Sequence, residues 1–465
     1  MGVSWILFKF VSMKRFCFAI AMLVALTVEV AAACPLKFPG SEVSRIGIYV
    51  ENLSTGKIET AYNADMSFTP ASVMKCITSA TAQISLRPDF CFKTTVRPLG
   101  YIASGILHGD LLVTGSGDPT LGSRHFPDKE KFPAAVISYL RTIGVDSIQG
   151  DVIIDDTELP PIGISPFWLQ EDIAWEYGAG LFGINYRDNS FPLTVRADGE
   201  NETMSDQVEV VNRITRGKRG NVVAMRGYDS SVLTLYGTIT SPSYTARYSM
   251  PSPSFTLYRH LLDALDGAGV AYGGAPSGAT EKAAEPMVYR SPVRDEILRS
   301  LMVHSNNLFA EGMLRATVLE KPVNKRGIDD AVAAEIALWQ QNGLCLDGCR
   351  WQDGCGLSPV QKLTPHCLGN VLSFMAKSGK SADYVGLFPR VGVEGTVRPL
   401  LAKTPLSGKL ALKSGTMNSV VCYAGYKLDG NEKPTHVVVI MVNGFGCSAS
   451  AVRKGVASYL LSRFN

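Results

Sequence analysis

The chain has 465 residues, of which 46% are hydrophobic and 19% charged, and it carries a formal net charge of +3. That length allows two or three domains with buried cores. The small positive balance, spread over scattered basic residues, argues against a nucleic-acid partner and against strong attraction to an anionic membrane.

Residues 1–33 have the three parts of a secretory signal peptide: Lys14-Arg15, an apolar run from Phe16 to Val28, and Ala31-Ala32-Ala33 before Cys34. Met13 is an alternative start. Cleavage after Ala33 would leave Cys34 first, which raises a lipid-anchored form, but Ala31 stands where such signals carry leucine, so the expectation is an exported, periplasmic protein, with a lipid-anchored or loosely membrane-associated form as the lesser alternative. Glu29 argues against a retained anchor, and no later segment approaches a transmembrane span.

Arg45 to Val50 and Ile58 to Tyr62 read as two strands joined by a turn, and Ser54-Thr55-Gly56-Lys57 is the solvated tip of that hairpin. The next Ser-x-x-Lys, Ser72-Val73-Met74-Lys75, has other surroundings. It follows Pro70-Ala71 and leads into Cys76, Ile77, Thr78, Ala80, Ala82 and Ile84, a segment small enough to pack deeply. A serine and a lysine three apart share one helix face, so the amine can take the hydroxyl proton without a histidine. Burial of Lys75 would lower its pKa, as a general base at neutral pH requires. Cys76 reads as a small buried hydrophobe.

From about Phe92 to Pro286 the chain is strand-rich, with Leu111 to Thr114, Asp151 to Ile154, Val208 to Val211 and Val232 to Tyr236, a helix from Phe132 to Leu140, and a linker candidate from Gly267 to Ala284. After a periodic helix (Ile297, Leu298, Leu301, Met302) comes Ser305-Asn306-Asn307, where a loop between helices can aim Ser305 and Asn307 into a cleft. The plainer reading is that Ser305 or Asn306 caps the following helix. Cys345, Cys349, Cys355 and Cys367 crowd one stretch of an exported chain with ten cysteines, which favours disulfides over a zinc site with His366; Cys422 and Cys447 are a further candidate pair.

Lys377-Ser378-Gly379 ends the helix around Val371, Leu372, Phe374 and Met375 and reads as a glycine C-cap. Lys413-Ser414-Gly415-Thr416 instead follows an alternating strand, Lys409 to Lys413, and Gly415 would let a substrate backbone approach the strand edge. Val420 to Lys427 and His436 to Val442 complete an antiparallel sheet with the first two strands. The closing helix begins at a Ser448 cap and places Val452, Val456, Tyr459 and Leu460 on that sheet.

Ser-x-x-Lys, Ser-x-Asn and Lys-Ser-Gly, the last a variant of Lys-Thr-Gly that keeps a hydroxyl, thus occur in the order found in β-lactamases and penicillin-binding proteins. More than two hundred residues separate Ser72 from Ser305, which calls for inserted domains. In this the chain resembles the low-molecular-mass class C penicillin-binding proteins, the serine-type D-alanyl-D-alanine carboxypeptidase/endopeptidase family, along nearly its full mature length. Gly115-Ser116-Gly117-Asp118-Pro119-Thr120-Leu121 and Gly150-Asp151-Val152-Ile153-Ile154-Asp155 are similar to its insert signatures. Trp175-Glu176-Tyr177-Gly178-Ala179-Gly180, followed by Gly183-Ile184-Asn185, is similar to a segment of its Gram-negative members. Asp353-Gly354-Cys355-Gly356-Leu357-Ser358 resembles its Asp-Gly-Ser-Gly-Leu-Ser with cysteine in place of serine, so Cys355 is left out of the expected site.

The resemblance implies an α+β fold, a penicillin-binding/β-lactamase-like transpeptidase domain with an antiparallel sheet flanked by helices. That domain is expected from residues 34–91 and 287–465, and residues 92–286 would be a strand-rich insertion with a smaller nested module. It implies hydrolysis beside a D-alanine of peptidoglycan stem peptides through an acyl-enzyme, covalent inhibition by β-lactam antibiotics, a periplasmic setting, and no cofactor or metal. Ser72 would be the nucleophile and Lys75 its base. Ser305 would relay the proton to the leaving amine, Asn307 would hold the acyl side of the peptide, and Lys413 would supply positive potential. Ser414, Gly415 and Thr416 would bind the substrate, with the backbone N–H groups of Ser72 and Thr416 as the oxyanion hole. The alternatives are a β-lactamase-like hydrolase, separable by faster deacylation, and a non-catalytic cell-wall-binding protein, which has no need of all five catalytic groups.

Overall fold

The computed structural model describes residues 34–203 and 207–465; the expected signal peptide lies outside them. The two ends of the chain meet in one five-stranded sheet. Its order is Leu410–Met417, Val420–Leu428, Pro434–Asn443, Arg45–Asn52, Ile58–Tyr62, and every neighbour runs antiparallel. The register pairs Ile48 with Ile440 and Lys413 with Ala424. Ser54 sits in the exposed turn of the first hairpin, its hydroxyl bonded to Asn52.

Helices cover both faces of this sheet. Along the central strand Val437, Val439 and Met441 join the cluster built on the Met74–Ser85 and Pro365–Lys377 helices. Val438, Ile440 and Val442 face the opposite cluster, which holds Val452, Val456, Tyr459 and Leu460 of the Ala449–Phe464 helix. Ser448 caps that helix by accepting the Ala451 N–H. Double coverage also corrects the expected alternation before Lys413: Leu410, Ala411, Leu412 and Lys413 are all buried. A strand sandwiched between helices reads as a continuous apolar run rather than an alternating one. Ile440 is fully buried at the centre of this arrangement, so Ile440→Ala is expected to lower the unfolding free energy by about 2–5 kcal/mol in urea titration.

The Met74–Ser85 helix is the axis of the larger core, with every residue from Met74 to Gln83 buried. Two of its buried hydroxyls find partners inside. Thr78 Oγ1 donates to Gly354 O (2.7 Å) and Thr81 Oγ1 to Glu335 Oε1 (2.8 Å).

Between the two parts of the sheet the chain forms smaller sheets. Lys93–Pro98, Leu111–Thr114, Val152–Asp155 and Met287–Arg290 make one of four strands. The Phe132–Thr142 and Pro253–Ala268 helices pack beside it on a separate apolar cluster. Two three-stranded sheets, one containing Ser190–Arg196 and the other Glu209–Arg216 with Val232–Ile239, share another. The stretch read as a linker begins inside the Pro253–Ala268 helix and includes a short strand, Ala271–Tyr272, before an exposed run.

Three expectations need correction. The nine cysteines among the described residues all carry free thiols. Of the four crowded ones, only Cys349 and Cys367 bring their thiols into hydrogen-bond contact, while Cys345 is exposed and Cys355 is buried elsewhere. Second, Cys422 and Cys447 cannot pair across the sheet, because Cys422 faces the Met74–Ser85 side and Cys447 packs against the opposite cluster. Third, Gly379 does not cap a helix: Pro365–Lys377 ends on an extended Ser378, whose hydroxyl donates to Met375 O (2.8 Å). Lys377 is tied instead to the buried Glu51.

Candidate active site

The approach to Ser72 is pinned to the sheet. Asn443, at the end of the central strand, accepts the Thr69 N–H at 2.7 Å and donates to Thr69 O at 3.2 Å. Ala71 then adopts left-handed dihedrals (φ 49°), an unfavourable conformation for a residue with a Cβ. It turns the chain into the helix so that Ser72 is half-buried at the mouth and Lys75, one turn on, is fully buried.

The Lys75 Nζ makes three contacts, one for each ammonium proton: Ser72 Oγ at 2.9 Å, Asn307 Oδ1 at 2.6 Å and the Cys355 carbonyl at 2.6 Å. Burial lowers its pKa, against the opposing pull of the Cys355, Asp353 and Glu311 side chains. The amine is thereby held on the Ser72 hydroxyl and biased toward the form that accepts a proton.

Ser305 ends the Arg294–His304 helix in the left-handed region (φ 57°), and Asn306 caps the next helix by accepting the Phe309 N–H (3.0 Å). The capping duty falls on Asn306, so its neighbours face the cleft. Ser305 Oγ accepts from Lys413 Nζ at 2.8 Å, and Asn307 Nδ2 donates to Tyr177 O at 2.7 Å. Lys413 also donates to Ser414 O (2.7 Å). Its pKa is driven well below the ordinary value, first by burial and then by the charge on Lys75.

The five residues expected to carry the chemistry, Ser72, Lys75, Ser305, Asn307 and Lys413, thus converge from three distant segments. Of the three expected to bind substrate, Ser414 shares a hydrogen bond with the Thr396 hydroxyl (2.7 Å), and the exposed Thr416 lies 3.4 Å from an Arg453 nitrogen. The Leu410–Met417 strand is the edge of the sheet; Pro389 and Val391 hydrogen-bond its outer side at Leu412 and Leu410, which leaves the stretch beyond Leu412 for an extended peptide. Gly415 has a role the sequence did not reveal. A Cβ there would stand 2.7 Å from Pro70 O, 3.0 Å from Ser72 N and 3.1 Å from Val73 N. Glycine lets the strand lie directly on the turn that carries Ser72.

The sequence reading missed the strap from Asp353 to Ser358 as part of the site. Asp353 gathers it, accepting from Gly356 N (2.7 Å), Ser358 N (2.8 Å) and Trp168 Nε1 (2.8 Å). Gly356 is left-handed (φ +82°), and a Cβ on it would meet Ala71 O at 2.0 Å, so the strap rests on the Ser72 turn from the other side. Its contribution to Lys75 is the Cys355 carbonyl, a backbone atom. Oxygens of Glu311 and Asp353 and the Cys355 sulfur lie within 4.8 Å of one another. Both Asp353 oxygens and Glu311 Oε1 already accept N–H donors, so the group serves as a hydrogen-bonded floor under Lys75.

The segment between the two parts of the sheet supplies the opposite wall. Arg124, His125, Trp175, Glu176 and Tyr177 line a cavity of about 400 Å³ with Ser305, Asn306 and Asn307. Arg124 is paired with Asp188 and Glu176, and Arg247 with Glu176.

Residues 32–460 match the model of the D-Ala-D-Ala carboxypeptidase 3 (S13) family. The D-alanyl-D-alanine carboxypeptidase DacB of Haemophilus influenzae is 21% identical over 87% of this chain and 86% of its own length. The D-alanyl-D-alanine carboxypeptidase of Actinomadura sp. (strain R39) is 26% identical over 91% of this chain and 82% of its own. Among solved structures, penicillin binding protein 4 of Haemophilus influenzae superposes with a TM-score of 0.77 at 20% identity, covering 92% of this chain and 97% of that one.

Proposed function

We propose, from the premise that this chain belongs to the D-Ala-D-Ala carboxypeptidase 3 (S13) family, that Ser72 and Lys75 carry out its acylation step. The protein is a serine-type D-Ala-D-Ala carboxypeptidase and/or DD-endopeptidase of peptidoglycan stem peptides, and β-lactams are its covalent inhibitors. The observation that carries our assignment of residues is the hydrogen bond of 2.9 Å between Lys75 Nζ and Ser72 Oγ, with the amine buried and anchored by Asn307 and Cys355.

In this scheme Ser72 Oγ attacks the carbonyl between two D-alanines while Lys75 takes the hydroxyl proton. The oxyanion forms between the backbone N–H groups of Ser72 and Thr416, each donor worth roughly 3 kcal/mol to the transition state. Collapse breaks the peptide bond. The leaving amine takes its proton through Ser305, which Lys413 holds at 2.8 Å. The terminal carboxylate rests against Ser414, Thr416 and the positive potential of Lys413. Asn307 fixes Lys75 through Oδ1 and turns Nδ2 toward Tyr177, the side on which the acyl portion enters. Water then hydrolyses the ester.

We place the protein in the periplasm as an exported form. Among the described residues no helix is long and apolar enough to cross a membrane.

Digestion of purified pentapeptide and cross-linked muropeptides, followed by mass analysis, tests the reading. Loss of a terminal D-alanine marks carboxypeptidase action, and conversion of cross-linked dimers to monomers marks endopeptidase action. Rapid penicillin turnover without either product would overturn it in favour of a β-lactamase.

A further inference from the structure

Glu311 lies four residues beyond Asn307 on the Asn307–Ala316 helix, so the two side chains leave the same face. It is 1% exposed, and no step described above uses it. Its Oε1 accepts the N–H groups of Gly354 (2.9 Å) and Cys355 (3.0 Å). The carbonyls of the same two residues point the other way: Gly354 O accepts from Thr78 Oγ1 at 2.7 Å and Cys355 O from Lys75 Nζ at 2.6 Å. The peptide is therefore clamped between Glu311 and the helix of the nucleophile. Gly354 permits this closeness, since a Cβ there would stand 3.1 Å from Ala310 O and Leu314 Cβ.

A carboxylate is an expensive choice for this clamp. Glu311 Oε2 is buried with no partner, and a neutral amide oxygen would accept the same two N–H groups without burying a charge. What a carboxylate adds is negative potential beside Lys75. We infer that Glu311 is a positioning residue for acylation: it fixes the Gly354–Cys355 peptide so that the Cys355 carbonyl holds the Lys75 amine on Ser72, and its charge governs how firmly that amine keeps its proton. The inference rests on the reading of Ser72 as nucleophile and Lys75 as base.

The charged and titratable groups in and around the pair come from five elements. Lys75 faces Glu311 from the Met74–Ser85 helix, Asp353 and Cys355 from the strap, Arg315 from its own helix, and Glu335 from the Ile328–Gln341 helix; Lys413 faces Lys75 from the sheet edge. Burial first, then Asp353, push Glu311 up to about 7, with Arg315 opposing. The sign for Lys75 follows directly. Removing the Glu311 charge destabilises the ammonium, lowers the Lys75 pKa, and makes the free amine available at lower pH.

The test is the second-order rate of acylation by fluorescent penicillin from mildly acidic to mildly alkaline pH, for the full chain and for Glu311→Gln, Glu311→Ala and Ser72→Ala. Glu311→Gln is expected to keep its maximal rate within about threefold and to move the acidic limb down by about one pH unit. Glu311→Ala, which releases the peptide, is expected to lose about tenfold or more at every pH. A Glu311→Gln profile that superimposes on the parent, or that falls together with Glu311→Ala without changing shape, overturns the inference. Because Glu311→Gln keeps the clamp, its profile decides the matter whether or not Glu311→Ala folds. Labelling of Ser72→Ala would instead overturn the assignment of the nucleophile, so the two failures are distinguishable.

Discussion

Ser72→Ala is expected to take no label from fluorescent penicillin, and Lys75→Met, with Ser72 intact, to label about 10²–10⁴-fold more slowly than the parent. The two losses have different causes. The first removes the atom that forms the ester. The second leaves that atom in place but removes the group 2.9 Å away that is proposed to accept its proton. Lys75→Arg makes the distinction sharper, since a guanidinium stays protonated and cannot act as a base, so it should be as slow as the methionine variant. Misfolding is a weak explanation for such a result. Lys75 is buried at a cost, its pKa lowered by desolvation, and methionine fills similar volume without a charge. In the parent the folded state binds fewer protons at Lys75 than the unfolded state does, between the lowered value and the ordinary 10.5. Stability should rise with pH through that window, and Lys75→Met should flatten that part of the curve in thermal unfolding. Acylation of Lys75→Met at the parental rate would remove Lys75 from the mechanism.

What could be read from the sequence was the chemistry that resides in side chains at short spacing. Ser72 and Lys75 share a helix turn, Ser305 and Asn307 flank a cap, and Lys413 sits on a strand before a glycine, so each motif carried its own local geometry. The family and the α+β class followed from their order. Features that depend on what a segment packs against were hidden. The run before Lys413 does not alternate, because helices cover both faces of the sheet. Cys422 and Cys447 look like neighbours on adjacent strands, yet they face opposite clusters. The Cys355 carbonyl was illegible because any residue has a carbonyl. Its aim is set by the left-handed Gly356, by Asp353 gathering the strap and by Glu311 beneath it. Glu311 itself is one of 42 acidic residues, and only the fold distinguishes it from a surface charge.

Gly415→Ala is the substitution that tests whether the sheet edge and the Ser72 turn form one unit. The added methyl would meet Pro70 O at 2.7 Å, Ser72 N at 3.0 Å and Val73 N at 3.1 Å. All three are backbone atoms, which cannot rotate away as a side chain can, so the strand or the turn must shift by several tenths of an ångström. The rest of the strand is anchored by the buried Leu410, Ala411 and Leu412, and the turn by Asn443. The fold should therefore survive while the spacing between the Ser72 and Thr416 amides changes. If those amides bind the oxyanion, acylation should fall about 10²–10³-fold, equivalent to roughly 2.7–4 kcal/mol of transition-state stabilisation. Gly430→Ala, where a Cβ would meet nothing within 4 Å, serves as the control and should leave the rate unchanged. Thermal unfolding of both variants close to the parent would locate the loss in the site. An unchanged acylation rate in Gly415→Ala would mean that the edge strand does not form the wall of the oxyanion hole, and the hole would have to be sought among other donors around Ser72.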